Sequence, residues 1–595
     1  MIGEKMRTVV HVTHEAVEKV GGIGAVLEGL ITSQAYNAVT DRTILVCPLF
    51  STYGPAEGRL GPDGEVLYSS VDGIIRSEWA SKFRPVEERF NVGIVYGHRT
   101  FTHPDTGARV LTEVLLIDIT RIDQREINAF KGKLWEHFGI ESIKYEHSWD
   151  FDQYVKVAPP ALATIEMIGA VPHDGHCVIV SHEFMGMPTA LAAILSENSH
   201  YRTVFYAHET ATMRKIVEEL PGHDTAFYNA LRKARSQDLY LDDVFGSQDS
   251  YFKHGLISAT KYCDNILAVG DYVMKEFRFM GPEFNHVDVD LCYNGIPSSK
   301  ITLKDKLTSK ARLQRYCEVL LDFRPDYVFT HVSRLTISKG LWRDLKVLEH
   351  IEKAFRQQNK TAVMYFLTTE LPRRRREDIL NMEKWWRWPV AHREGLPDLS
   401  NGEAALYTGI QEFNAKARNV KVLFLNQFGF DQMTCGTRIP ADTEFLDIRR
   451  GSDLEFGQSV YEPFGIAMLE PLTFGGICVV TNVCGCVGFV EDVTKGQPLQ
   501  NLILADYTNL DEPSMTIENI LKIDQTQRDQ IEKRVARKLA EEVLRRLPKN
   551  NDDMEKLIQS GYQTASHMGW DVVAKNYFLP AVERACRKQR VLQLV

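Results

Sequence analysis

In Tyr461-Glu462-Pro463-Phe464-Gly465-Ile466-Ala467-Met468-Leu469-Glu470, one carboxylate sits in a Pro/Gly loop and a second follows on what reads as a helix. A helix beginning near Gly465 would turn Glu470 back towards the loop that holds Glu462. Carboxylates at a strand–helix junction accept hydrogen bonds from ligand hydroxyls and orient a polyhydroxylated molecule without adding bulk. Pro471 follows at once, and an interior proline removes a helix hydrogen bond, so this helix is expected to be short or kinked. Earlier in the chain, His331 to Gly340 (HVSRLTISKG) leaves a strand-like run with Arg334 and Lys339 separated by a short polar loop. Two cations beside a glycine suit a diphosphate departing without a metal; the same residues also read as an exposed basic turn.

Lys19-Val20-Gly21-Gly22-Ile23-Gly24 follows the apolar run Val9-Val10-His11-Val12-Thr13. Glycines admit a ligand to backbone N–H groups, and a following helix turns its positive end towards phosphate. The spacing is neither the dinucleotide fingerprint nor a Walker loop, so a structural turn and an anion site are both open. Thr481-Asn482-Val483-Cys484-Gly485 ends another strand-like run in small residues, a second place where backbone can meet phosphate. His208, in Phe205-Tyr206-Ala207-His208-Glu209-Thr210, stands at a strand end, where a histidine bonded to backbone is one reading. No metal site is expected. Cys484 and Cys486 lack the two-residue spacing of zinc and redox motifs, and His173-Asp174-Gly175-His176 reads as a polar turn. The His-Glu pairs at 14, 182 and 208 do not continue into a zinc-protease pattern.

The elements that must position these residues are legible as short β-branched runs: Val9–Thr13, Thr43–Val46, Val114–Ile119, Cys177–Val180, Thr203–Tyr206 and Ile266–Val269. A second series comprises Tyr327–Val332, Ala362–Leu367, Val420–Leu425, Ile477–Thr481 and Leu502–Ala505. Runs that are apolar throughout suit parallel sheets buried on both faces, and helical spacing between them (Pro159–Ile168, Thr189–Leu195) suits a doubly wound α/β fold. Two series predict two similar domains facing an interdomain cleft. The turn Tyr293-Asn294-Gly295-Ile296-Pro297 marks the boundary, and Asp524–Lys549 reads as surface helices. In such sheets ligands bind beyond the carboxyl ends of the strands, where the residues above fall.

Together these motifs resemble the glycogen and starch synthase family, retaining glycosyltransferases of the GT-B fold. The likeness rests on Lys-Val-Gly-Gly-Ile near the N-terminus, Ser-Arg-Leu-x3-Lys-Gly (Ser333 to Gly340) and Glu-Pro-Phe-Gly-x4-Glu, in that order over most of the chain. Glu15 to Ile23, Lys133 to Ile140, Val180-Ser181-His182-Glu183-Phe184 and Glu470 are similar to the animal and fungal, UDP-glucose-using branch. The Arg334-to-Lys339 loop is closer to bacterial and plant enzymes, and no arginine cluster matches the glucose 6-phosphate site of the eukaryotic branch. Arg373–Arg376 comes too early and reads as solvated surface.

The resemblance implies a GT-B chain of two Rossmann-like domains, 1–294 on the acceptor side and 295–562 for the nucleotide sugar, with 563–595 as a helix crossing back. It implies that Arg334 and Lys339 hold the leaving diphosphate, Glu462 the transferred glucose and Glu470 the ribose. Lys19, Gly21, Gly22, Asn294, Gly465, Thr481 and Gly485 would line the donor, His208 would be the active-site histidine, and Glu183 would lie on the acceptor side. The implied reaction is glucosyl transfer, with retention, from UDP-glucose in preference to ADP-glucose to the 4-hydroxyl at the non-reducing end of an α-1,4-glucan. The donor is a co-substrate, and no cofactor is implied.

Composition narrows the alternatives. With 44% apolar and 25% charged residues the chain reads as an ordinary globular protein. A net charge of -9 argues against nucleic acid as its main partner. Ten scattered cysteines are no disulfide framework, no apolar stretch predicts a membrane span, and a cytoplasmic protein is expected, with a homo-oligomer left open. Three rivals stay open. A GT-A-type transferase would need an Asp-x-Asp, present at Asp150-Phe151-Asp152 and Asp288-Val289-Asp290. A synthase with another acceptor, making a sucrose-like disaccharide or another glycoside, would keep the fold. A glucan-binding scaffold would bind without turnover.

Overall fold

The computed structural model describes residues 6–588 except Val20, Pro62, Pro104, Asp105, Glu197, Asp511 and Pro513. The chain divides into two compact units. The first comprises Met1–Met213, Arg235–Gly295 and Trp570–Val595 so far as they are described; the second comprises Arg214–Ala234 and Ile296–Gly569.

The first unit is built on strands β1 (Met6–Val12), β2 (Thr40–Pro48), β3 (Gly64–Ser69), β4 (Gly93–Thr102), β5 (Arg109–Asp118), β6 (His176–His182), β7 (Tyr201–Ala207), β8 (Asn265–Ala268) and β9 (Val289–Leu291). They lie in the order β3-β4-β5-β2-β1-β6-β7-β8-β9. From β5 to β9 every pair is parallel, and β3 and β4 extend one edge as antiparallel strands. The central strands are buried throughout, as their uninterrupted apolar runs require.

The second unit holds β10 (Tyr327–Arg334), β11 (Ala362–Thr369), β12 (Val420–Leu425), β13 (Leu454–Gly457), β14 (Ile477–Thr481) and β15 (Leu502–Ala505). All pairs are parallel, in the order β12-β11-β10-β13-β14-β15. Counted within the unit this is 3-2-1-4-5-6, the order of dinucleotide-binding sheets. Both units are therefore Rossmann-like and doubly wound. Strand order reverses between β1 and β6 in one sheet and between β10 and β13 in the other.

The eleven strands expected from apolar runs are present. Four others, β3, β4, β9 and β13, were not marked by such runs. β13 is short and carries Glu455, whose buried carboxylate accepts from Arg449 and the Val332 N–H. Helices Trp149–Met167 and Glu183–Leu195 occupy the segments expected to be helical. The charged stretch after Asp524 forms one helix, Gln525–Arg546, capped by the Asp524 side chain. Its buried Ile531, Val535, Leu539 and Val543 join Val347, Ile351 and Phe355 of helix Trp342–Gln358 in one core.

The segment 214–234 belongs to the second unit although it interrupts the first in sequence. Its anchor is Arg343, fully buried, whose guanidinium binds Asp224 at 2.6 Å and Glu532 at 2.9 Å and lies over the Tyr507 ring. In the first unit, Trp570 packs against Gly29 and Gly295. A Cβ there would stand 2.1 and 2.6 Å from indole atoms, so only glycine permits the approach.

Candidate functional site

In the second unit, strand β10 ends at Arg334 and the chain turns through residues 337–339 to Gly340. Gly340 has φ +60°, and a Cβ there would meet the Gln458 carbonyl oxygen at 2.3 Å. The Ser338 carbonyl accepts the N–H groups of Val460 and Tyr461, at 2.8 and 3.3 Å. These backbone bonds tie the loop after β10 to the loop after β13, across the point where strand order reverses. There Lys339 Nζ meets Glu462 Oε2 at 2.5 Å, and the nearly buried carboxylate also accepts from Ser459 Oγ at 3.2 Å.

Arg334 is exposed at the same strand end and, among the described residues, makes no ion pair. Sequence reasoning missed Arg214, whose guanidinium reaches Ser338 Oγ at 3.3 Å from the excursion 214–234. It also missed the support beneath the loops. His331 binds Asp344 at 2.6 Å, Asp344 accepts from Gln458 at 2.8 Å, and Tyr507 donates to Gln458 at 2.5 Å, all buried. No motif flags these residues, because each lies apart from its partners in sequence and matters only through the fold.

Helix Ile466–Thr473 starts after Gly465, whose φ of +93° is the left-handed conformation that closes the turn. The helix is short, as expected, although it continues past Pro471 to Thr473. Glu470 faces Arg449, whose guanidinium also holds Glu455. Thr481 Oγ1 donates to the Ser459 carbonyl, and the Gly485 N–H donates to the Glu462 carbonyl, at 3.0 Å each. Both residues therefore shape the Glu462 loop. In this structure Thr481 supports it with its hydroxyl and Gly485 with its amide.

The first unit places its expected residues at the ends of β1, β6 and β7. The helix Gly22–Thr32 begins after Gly21, and the anion at its N-terminus is a side chain of this chain. Glu15 Oε2 accepts from the N–H groups of Gly21 and Gly24 at 2.9 and 2.8 Å. Lys19 pairs with Glu28 at 2.9 Å on the surface. Glu183 opens helix Glu183–Leu195 with φ +57°, a rare conformation for a residue with a side chain. Its buried carboxylate accepts the Glu209 N–H at 2.7 Å, and burial, aided by nearby Glu209, pushes its pKa well above the ordinary range. His208 is half-buried just beyond β7, and burial, with His14 nearby, lowers its pKa to about 3. The ring is therefore neutral at ordinary pH. Asn294 is buried, with Oδ1 unbonded among the described residues.

Among the described residues no group of three or more His, Cys, Asp or Glu is placed to hold a metal. Both Asp-x-Asp triplets are engaged: Asp152 with Lys131 and Lys156, and Asp288 and Asp290 with Lys588 and Arg584. Among the described residues no helix is long and apolar enough to cross a membrane.

No family model matches the chain, and no curated protein matches it. Solved structures do. One is an Escherichia coli structure described as trehalose-6-phosphate bound with UDP-2-fluoro glucose, at 11% identity and TM-score 0.48, covering 97% of this chain and 99% of that one. Another is sucrose-phosphate synthase from Thermosynechococcus elongatus, at 10% and 0.47, covering 96% of each. A third is the catalytic domain of starch synthase IV from Arabidopsis thaliana, bound to ADP and acarbose, at 14% and 0.46, covering 91% and 99%.

Proposed function

We propose that this chain is a retaining GT-B glycosyltransferase that transfers glucose from a nucleotide-glucose donor. The observation that carries the reading is the Lys339–Glu462 pair with Arg334 at the strand-order reversal of a 3-2-1-4-5-6 sheet. Such sheets bind nucleotides there. Lys339 and Arg334 supply positive charge for a diphosphate leaving group, and Glu462 accepts hydroxyl groups of the sugar. Glu470, steadied by Arg449, takes the ribose hydroxyls. We assign Gly465, Thr481 and Gly485 to shaping this donor loop, and Lys19, Gly21, Gly22 and Asn294 to further donor contacts. For Gly21, whose N–H already serves Glu15, such a contact is not to phosphate through that amide.

In this reading the acceptor attacks the anomeric carbon on the face the diphosphate leaves. The departing phosphate oxygen takes the acceptor proton, and the protein positions and stabilises charge. His208 borders the reacting face and Glu183 the acceptor. UDP-glucose is the favoured donor and an α-1,4-glucan the favoured acceptor, on the sequence motifs. A second reading keeps the donor machinery and takes a small sugar or sugar phosphate, the class to which trehalose and sucrose phosphates belong.

The test is nucleotide release from UDP-glucose and from ADP-glucose, in EDTA, with glycogen, with glucose 6-phosphate, with fructose 6-phosphate or with no acceptor. Glycogen-dependent release supports the first reading. Release only with a sugar phosphate supports the second. Silence in every arm, with glycogen still bound, would mean a scaffold.

A further inference from the structure

Behind His208 a file of buried polar rings runs through the first unit. His208 Nε2 lies 2.8 Å from His182 Nδ1, and His182 Nε2 lies 2.9 Å from His11 Nδ1. His11 Nε2 lies 3.2 Å from the Tyr36 hydroxyl, which lies 3.0 Å from Thr43 Oγ1. His11, His182 and Tyr36 are completely buried. These residues come from β1, the end of β6, the loop after β7 and the short helix Gln34–Asn37, so no sequence window contains them together.

A neutral imidazole carries one N–H and one lone pair. Hydrogen bonds joining such rings head to tail must all point the same way, so fixing one ring's tautomer fixes the next. Burial lowers the pKa of His11 to about 3 and that of His182 well below its ordinary value, so neither ring breaks the file by taking a second proton at neutral pH. The direction is set at the far end. A phenol is a strong donor and an imidazole nitrogen a strong acceptor, which favours Tyr36 O–H donating to His11 Nε2. His11 Nδ1–H then donates to His182 Nε2, and His182 Nδ1–H donates to His208 Nε2. His208 is left with its proton on Nδ1.

We propose that His11, His182 and Tyr36 are positioning residues that fix His208 as its Nδ1–H tautomer, so that this ring meets substrate as a hydrogen-bond donor. The neighbouring residue serves the same end, because Glu183, held at positive φ, grips the Glu209 N–H while His182 grips the ring of His208. The tautomer claim is independent of the reaction; the donor role rests on the glycosyltransferase reading above.

The experiment is a two-bond proton–nitrogen NMR spectrum of the full chain labelled at histidine, with the His208 signals identified by their loss in His208→Gln. The wild type is expected to show one neutral His208 tautomer, protonated at Nδ1. His11→Phe removes the polar link two rings away from His208 and keeps an aromatic ring of similar shape. It is expected to give mixed His208 tautomers and to lower kcat by about 10- to 100-fold, the usual cost of losing an outer hydrogen-bond partner, with KM nearly unchanged. Tyr36→Phe is expected to do the same more weakly, and serves if His11→Phe does not fold. A wild-type His208 protonated at Nε2, or a tautomer unmoved by either folded variant, would overturn the relay. A fixed Nδ1–H tautomer with no turnover in any assay arm would leave the relay standing and remove only the glycosyltransferase reading.

Discussion

Lys339 and Glu462 neutralise one another at 2.5 Å, yet each has the chemistry to turn to a sugar nucleotide, one to phosphate and the other to hydroxyls. Removing either should therefore act on the reaction far more than on the fold. Glu462→Ala and Lys339→Ala are each expected to cut kcat/KM by about 100-fold or more, the scale of losing a stabilising group from a charged transition state. Unchanged circular dichroism and melting temperature would check that the units stay folded. Near-normal rates in both variants would sink the site assignment. Arg214 is a subtler case. If it adds to the cationic lining near Ser338, Arg214→Ala should weaken donor binding, measured as a raised donor KM, by less than the loss of Lys339.

At the scale of elements, strand ends carry the proposed site, and a file of buried polar rings lies behind His208. The depressed pKa values of His11 and His182 have a consequence for stability. Unfolding exposes rings that protonate near pH 6.5, whereas the folded rings stay neutral, so below that pH the unfolded state binds more protons. Stability is full above about pH 6.5 and is lost as pH falls, by about 1.4 kcal/mol per pH unit for each ring that protonates only on unfolding. His11→Phe should flatten this dependence, measured as urea unfolding of the first unit between pH 7 and 5. A slope equal to that of the wild type would contradict the buried neutral ring. Close approach is the other device at this scale. Gly29→Ala drives a methyl into Trp570 and should cost about 1–3 kcal/mol, as overpacking does. The loss should be smaller in a Trp570→Ala background, because the clash is already gone.

At the scale of the molecule, the ion cluster around Arg343 joins the 214–234 excursion to helices far along the chain. Replacing Arg343 by Met leaves Asp224 buried without its partner and should cost about 3–5 kcal/mol. Thermal unfolding would show this as a lowered transition of the second unit. Burial alone would raise the pKa of Glu532, but Arg343 and Lys346 outweigh it and hold the carboxyl at about 2. Its contribution is thus present above the ordinary carboxylate range and is lost as pH falls towards 2. Arg343→Met should make the second unit less stable at neutral pH and less dependent on acid. An unshifted transition would mean that the cluster is dispensable.

The α/β class, eleven of the strands, the short helix after Gly465 and the residues at the strand ends were all legible in the sequence. Those features are local: an uninterrupted β-branched run suits burial on both faces wherever it lies, an interior proline removes a helix hydrogen bond, and charged residues after a strand mark its end. Strand order, the Ser338 bonds that join two loops, Glu15 on the glycine amides, and the His11–His182–His208 file were decided only by the tertiary structure. Each depends on groups brought together from separate elements. A lone buried histidine reads the same in sequence whether it is inert or one link in a file, because its hydrogen-bond partner lies on another strand.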